Sequence, residues 1–137
     1  MTEYELLRII TFLERVRAPY QELLPIAEED ASWNILLYLV KKNLSGTPVT
    51  ISTLASVAEI PYATAMRRIH QLIDAGHIEK RATKEGGRSF VLVPSAQLSD
   101  SFLHYAKRVK SLLAETFGMR AKPEEDENFY FGGSYLA

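Results

Sequence analysis

The sequence predicts a mostly α-helical fold with a small β-wing: a helix-turn-helix and hairpin set between long N- and C-terminal helices. Three observations carry this expectation. Apolar residues recur at helical spacing through most of the chain. Glu59-Ile60-Pro61 separates two such patterns by a tight turn. Gly76, and then Gly86-Gly87, supply a helix stop and a hairpin turn.

Thr2 and Glu5 have the spacing of a capping box for a first helix over about residues 3–17. Its stripe is Leu6, Ile9, Ile10, Leu13 and Val16, and Pro19 is expected to end it. A separate helical turn around Leu23 and Leu24 is interrupted by Pro25. Asp30 or Ser32 caps a helix reaching about residue 43, with Trp33, Leu36, Leu37 and Val40 inward. Leu44-Ser45-Gly46-Thr47-Pro48 stops it, and Val49-Thr50-Ile51 is expected to add a short strand to the wing.

Two further helices follow, over about residues 52–58 and 62–75. Leu54, Ala55 and Ala58 face inward on the first, and Pro61 suits the first position of the second. Ala65, Ile69, Leu72 and Ile73 form the second helix's apolar stripe. Tyr62, Ala63, Thr64, Met66, Arg67 and His70 occupy its other side. Small groups there allow close approach to a major groove, and Arg67 has the fork that matches guanine O6 and N7. An ordinary amphipathic surface helix would carry a similar pattern, so the hairpin is needed as context. It spans about residues 77–93 and carries Lys80, Arg81, Lys84 and Arg88 against Glu79 and Glu85.

The last helix is capped by Ser95 or Ser99 and runs to about residue 117, with Leu98, Phe102, Tyr105, Val109, Leu112, Leu113 and Thr116 along one stripe. The chain thus divides into an N-terminal helical segment (1–30), a winged helix-turn-helix (31–94), a C-terminal helix (95–121) and an acidic, then aromatic, tail (122–137). Together these segments are read as a single domain overall.

The run from Thr53 through Arg81 resembles the winged helix-turn-helix of the MarR-type transcriptional regulators. The residues carrying the likeness are Leu54-Ala55, Thr64, Arg67, Leu72, and Gly76 with Ile78. The likeness extends over about residues 32–113. Two features of the family are absent: Gly-Gly-Arg88 stands where an Asp-x-Arg is usual, and Pro94-Ser95 where Thr-x-x-Gly is usual. The resemblance implies a homodimer on double-stranded DNA, acting on a pseudo-palindromic operator. In it Tyr62, Thr64, Met66, Arg67 and His70 would face bases beside Ala63. Arg68, Gln71, Lys84 and Arg88 would hold phosphates, with Ser52 and Thr53 adding contacts from the first helix of the pair. It also implies dimerisation through Leu6, Ile10, Leu13, Phe102, Tyr105, Val109, Leu112 and Leu113. A small-molecule effector would occupy a pocket lined by Tyr20, Trp33, Tyr38, Phe102 and Tyr105, although aromatics at this spacing are more often plain core.

Composition narrows the alternatives. The chain has 137 residues, no cysteine and a net charge of −1. Residues 61–93 hold 6 Lys/Arg against 3 Asp/Glu, or +3, so positive charge gathers on the proposed DNA-facing segment. His70, His77 and His104 lack metal-ligand spacing, and no phosphate loop or nucleophile elbow is present. The expectation is a cytoplasmic non-enzyme without metal or cofactor and without a membrane segment. The low net charge and the tail leave one alternative function, a winged-helix module for protein–protein assembly.

Overall fold

A computed structural model describes residues 1–24, 30–83 and 89–118. It is mostly helical, with one two-stranded antiparallel sheet among the described residues. The order is α1 (Glu3–Leu23), α2 (Asp30–Leu44), α3 (Ile51–Ser56), α4 (Tyr62–Asp74), β1 (Ile78–Ala82), β2 (Phe90–Pro94) and α5 (Ala96–Phe117). These form two compact units. One joins α1 to α5 from Ser101 onward, and the other holds the described residues between Asp30 and Asp100. No helix of the described residues is long and apolar enough to cross a membrane.

In the first unit the expected capping box forms. The Glu5 amide donates to Thr2 Oγ1 at 3.1 Å, and the Thr2 amide to Glu5 Oε2 at 2.9 Å. Pro19 does not end α1, contrary to expectation: the helix continues to Leu23 and takes in the first part of the expected separate turn, whose residues from Pro25 on lie outside the described residues. A proline removes one backbone bond, but Pro19 is itself fully buried, so its ring serves as packing surface. The ring centroids of Phe12 and Phe117 lie 5.9 Å apart, and Arg15 pairs with Glu115 at 2.8 Å, tying α1 to α5.

The second unit closes over one core. Ile35, Leu36, Leu39 and Val40 of α2 are buried, as are Leu54 and Ala55 of α3, Ala65, Ile69 and Leu72 of α4, and Ile78 and Val91 to Val93 of the hairpin. Leu37, expected inward, is 36% exposed; the buried α2 face instead runs through Ile35 and Leu39. α2 starts at Asp30, so Ser32 lies within the helix and does not cap it. Val49 to Ile51 is not a strand. Ile51 opens α3, and the Val49 carbonyl accepts one bond from the Leu92 amide at 2.8 Å. β1 and β2 pair from Ile78 opposite Pro94 to Ala82 opposite Phe90.

Capping explains the boundaries. Thr50 caps α3, accepting from the Thr53 amide at 3.2 Å. Pro61 sits one position earlier than expected, as the N-cap of α4 (φ −52°, ψ 139°), and its carbonyl takes the Ala65 amide at 2.9 Å. At the other end the Gly76 amide bonds the Ile73 carbonyl and the His77 amide the Leu72 carbonyl, at 3.0 and 2.9 Å. This is the Schellman pattern, with Gly76 at φ +81°. Ser95 caps α5 through the Leu98 amide at 3.1 Å.

Two left-handed residues bracket α4. A Cβ on Gly76 would meet nothing within 4 Å, so its substitution tests backbone strain alone. Gly76→Ala should lower stability to urea by about 1 kcal/mol. Glu59, the non-glycine residue at φ 59° in the α3–α4 turn, should behave oppositely, with Glu59→Gly neutral or stabilising.

Candidate nucleic-acid interface

The burial of Ala65, Ile69 and Leu72 fixes which side of α4 meets solvent. Ala63, Arg67 and His70 are exposed along one row, with Tyr62 and Gln71 beside them. Tyr62 is 53% exposed, high for an aromatic ring. Thr64 and Met66 are half-buried at the edges of this face. Arg67 makes no ion pair among the described residues. Its guanidinium is thus available to an outside acceptor, in the half of a helix that recognition helices turn toward base edges. Asp74 is exposed at the far end, so the charge on this face runs from basic at mid-helix to acidic at the C-terminus.

Arg68 fits its expected phosphate role less well. It is half-buried, with Nε shielded from solvent, so that nitrogen cannot reach a backbone phosphate oxygen. Ser52 and Thr53 are exposed, but Thr50 engages both hydroxyls, at 3.3 and 2.8 Å, and also takes the Thr53 amide. Phosphate contact there would rely on an outward-donating hydroxyl, such as the Thr53 O–H, whose oxygen accepts from Thr50, and not on the Thr53 amide. Lys84 and Arg88 lie outside the described residues.

The described hairpin carries two basic groups, Lys80 and Arg81, whose contacts go beyond the wing charge expected of them. Lys80 is exposed, with Nζ 4.8 Å from the centroid of the Phe90 ring. Arg81 reaches Glu79 at 3.6 Å, an ion pair on one strand face. Lys80 thus sets its ammonium against the Phe90 ring as a cation–π contact. The spacing of Lys80 and Phe90 gives no hint of this contact, which arises from the strand register.

The residues expected to line an effector pocket are divided between the two units, with Phe102 and Tyr105 in the first and Trp33 and Tyr38 in the second. The Phe102 and Tyr105 rings pack at 5.9 Å, and burial raises the Tyr105 hydroxyl's pKa. Trp33 and Tyr38 are half-buried on α2, and Lys42 Nζ lies 5.6 Å from the Tyr38 ring centroid. The Tyr20 side chain lies outside the described residues.

Of the expected dimer residues, Leu6, Ile10 and Leu13 are 48%, 43% and 59% exposed, and Leu7, not anticipated, is 62% exposed. Phe102, Tyr105, Val109 and Leu113 are half-buried. Leu112 is 7% exposed and belongs to the chain's own core, so it offers no surface to a second copy.

Compared with known proteins, the chain matches no family model and no curated protein.

His77, at the α4–β1 junction, has its pKa lowered by burial. A folded-state pKa below the unfolded value of 6.5 means that the unfolded chain binds the proton first. Stability should therefore fall as pH drops through 6.5 and below. Urea midpoints measured on either side of this value should show the loss, and His77→Gln should flatten that part of the profile.

Proposed function

We propose that this protein is a sequence-specific DNA-binding transcriptional regulator of the winged-helix type, acting as a homodimer on a pseudo-palindromic site. α4 would enter the major groove, and the β1–β2 hairpin would rest on the backbone or in the neighbouring minor groove. The observation that carries this reading is the solvent face of α4. It presents Tyr62, Ala63, Arg67, His70 and Gln71 together, with an arginine that no described carboxylate neutralises. Small and polar groups with one unpaired fork are what base-edge reading requires.

Dimerisation is proposed on a separate observation. Leu6, Leu7, Ile10 and Leu13 form an exposed apolar strip on α1 that its own α5 leaves uncovered, and strips of this kind mark association surfaces. A second copy would bury it. Two-fold symmetry would then set two α4 helices about one DNA turn apart, ~34 Å. The modest positive charge of residues 61–93 makes this pairing important, because one protomer neutralises few phosphates.

The competing reading is a protein–protein assembly module, favoured by the net charge of −1. Duplexes selected from a random pool separate the two. Arg67→Ala should weaken binding to a selected site roughly 5- to 100-fold, the worth of one bidentate base contact. Unchanged affinity would remove α4 from the interface. In sedimentation, the wild-type chain should be a dimer and Ile10→Glu a monomer with helical content retained. A monomeric wild type would contradict the association part.

A further inference from the structure

The unit formed by α1 and α5 contains a cleft of about 400 Å³ lined by Met1, Glu5, Arg8, Ile9 and Phe117. It shares no residue with the aromatic set considered above and is independent of the DNA-binding reading. Among the described lining residues Arg8 is the one with a cationic side chain, and Met1 adds its α-amino group. The guanidinium carbon lies 5.6 Å from the Tyr4 ring centroid and 5.9 Å from that of Phe117, so aromatic surface flanks the cation. One terminal nitrogen donates to the Thr116 carbonyl at the end of α5. No carboxylate among the described residues forms an ion pair with Arg8. Glu5, one turn earlier, directs an oxygen to the Thr2 amide instead.

We propose that this cleft binds a small organic monocarboxylate with an apolar body, its carboxylate held by Arg8. A part-buried guanidinium with donors left over is matched by a planar, two-oxygen anion. Met1, Ile9 and Phe117 supply apolar walls for the rest of the molecule. Glu5 offsets part of the positive charge of Arg8 and the Met1 α-amino group, which favours a monoanion over a dianionic phosphate. The volume is at the small end for ligand sites, which suits a single ring or a short chain.

The test is an amide NMR titration of the full chain with phenylacetate and, as a neutral isostere, phenylacetamide. Phenylacetate should shift amides around Arg8, Ile9 and Phe117 and approach saturation by about 10 mM, as a site of ~1 mM Kd would. Phenylacetamide and the Arg8→Met variant should each show binding roughly 10-fold weaker or more, the scale of one charged hydrogen-bond pair. Glu5→Gln keeps the capping box, because glutamine serves at that position, and should tighten phenylacetate binding several-fold. The proposal is overturned by an absence of saturable shifts, by equal binding of acid and amide, or by unchanged affinity in Arg8→Met. Should Arg8→Met fail to fold, the acid–amide contrast and Glu5→Gln still decide. A Glu5→Gln variant with no gain, alongside equal acid and amide binding, would overturn it.

Discussion

The packing of one helix stripe determines the rest of the second unit. Ala65, Ile69 and Leu72 are buried in the core that α2 and β2 also line, and at 3.6 residues per turn that burial turns Ala63, Arg67 and His70 outward. The hairpin is positioned by the same event. The Schellman turn at Gly76 delivers the chain into Ile78, which is buried in that core, and β2 follows with four consecutive buried residues, Val91 to Pro94. Burying Ile69 and Ile78 is worth roughly 1.5–3 kcal/mol each, enough to hold the orientation of α4 against any single surface contact. Whatever meets the exposed face of α4 therefore meets a preformed surface.

The first unit is arranged differently. α1 carries more apolar surface than one partner helix can cover. Phe12 packs on Phe117 and Pro19 is buried, yet Leu6, Leu7, Ile10 and Leu13 remain in solvent. Charged groups along the α1–α5 seam, Arg15 with Glu115 and Arg8 with the end of α5, specify how the two helices register. An exposed ion pair such as Arg15–Glu115 adds little stability, so the apolar contacts supply the holding energy there.

Much of this was legible in the sequence where local chemistry dominates. The Thr2–Glu5 box, the stop at Gly76, the stripe of α4 and the Ser95 cap each follow from residues within one helical turn. Expectations failed where distant packing competes with local preference. Pro19 is tolerated inside α1 because it is buried, and Val49 gives one carbonyl to β2 without becoming a strand. Leu37 and Leu39 sit two residues apart on α2, and only the tertiary contact decides which one faces the core. Part of the candidate interface was legible in the same way, because a helix stripe defines its own opposite face. The shielding of Arg68, the Lys80–Phe90 contact and the Arg8 cleft were not, since each depends on a neighbouring element. A sequence signal for Arg8 did exist: it is a cation amid the apolar run from Leu6 to Ile10.

The central claim is that the outward face of α4 and the hairpin beside it form a surface for duplex DNA. Fluorescence anisotropy of a labelled random-duplex pool, titrated with the wild-type chain at about 50 and 200 mM salt, tests it most directly. The account predicts binding at low salt that weakens steeply at high salt, because phosphate neutralisation releases counterions. No binding at the lower salt would contradict it.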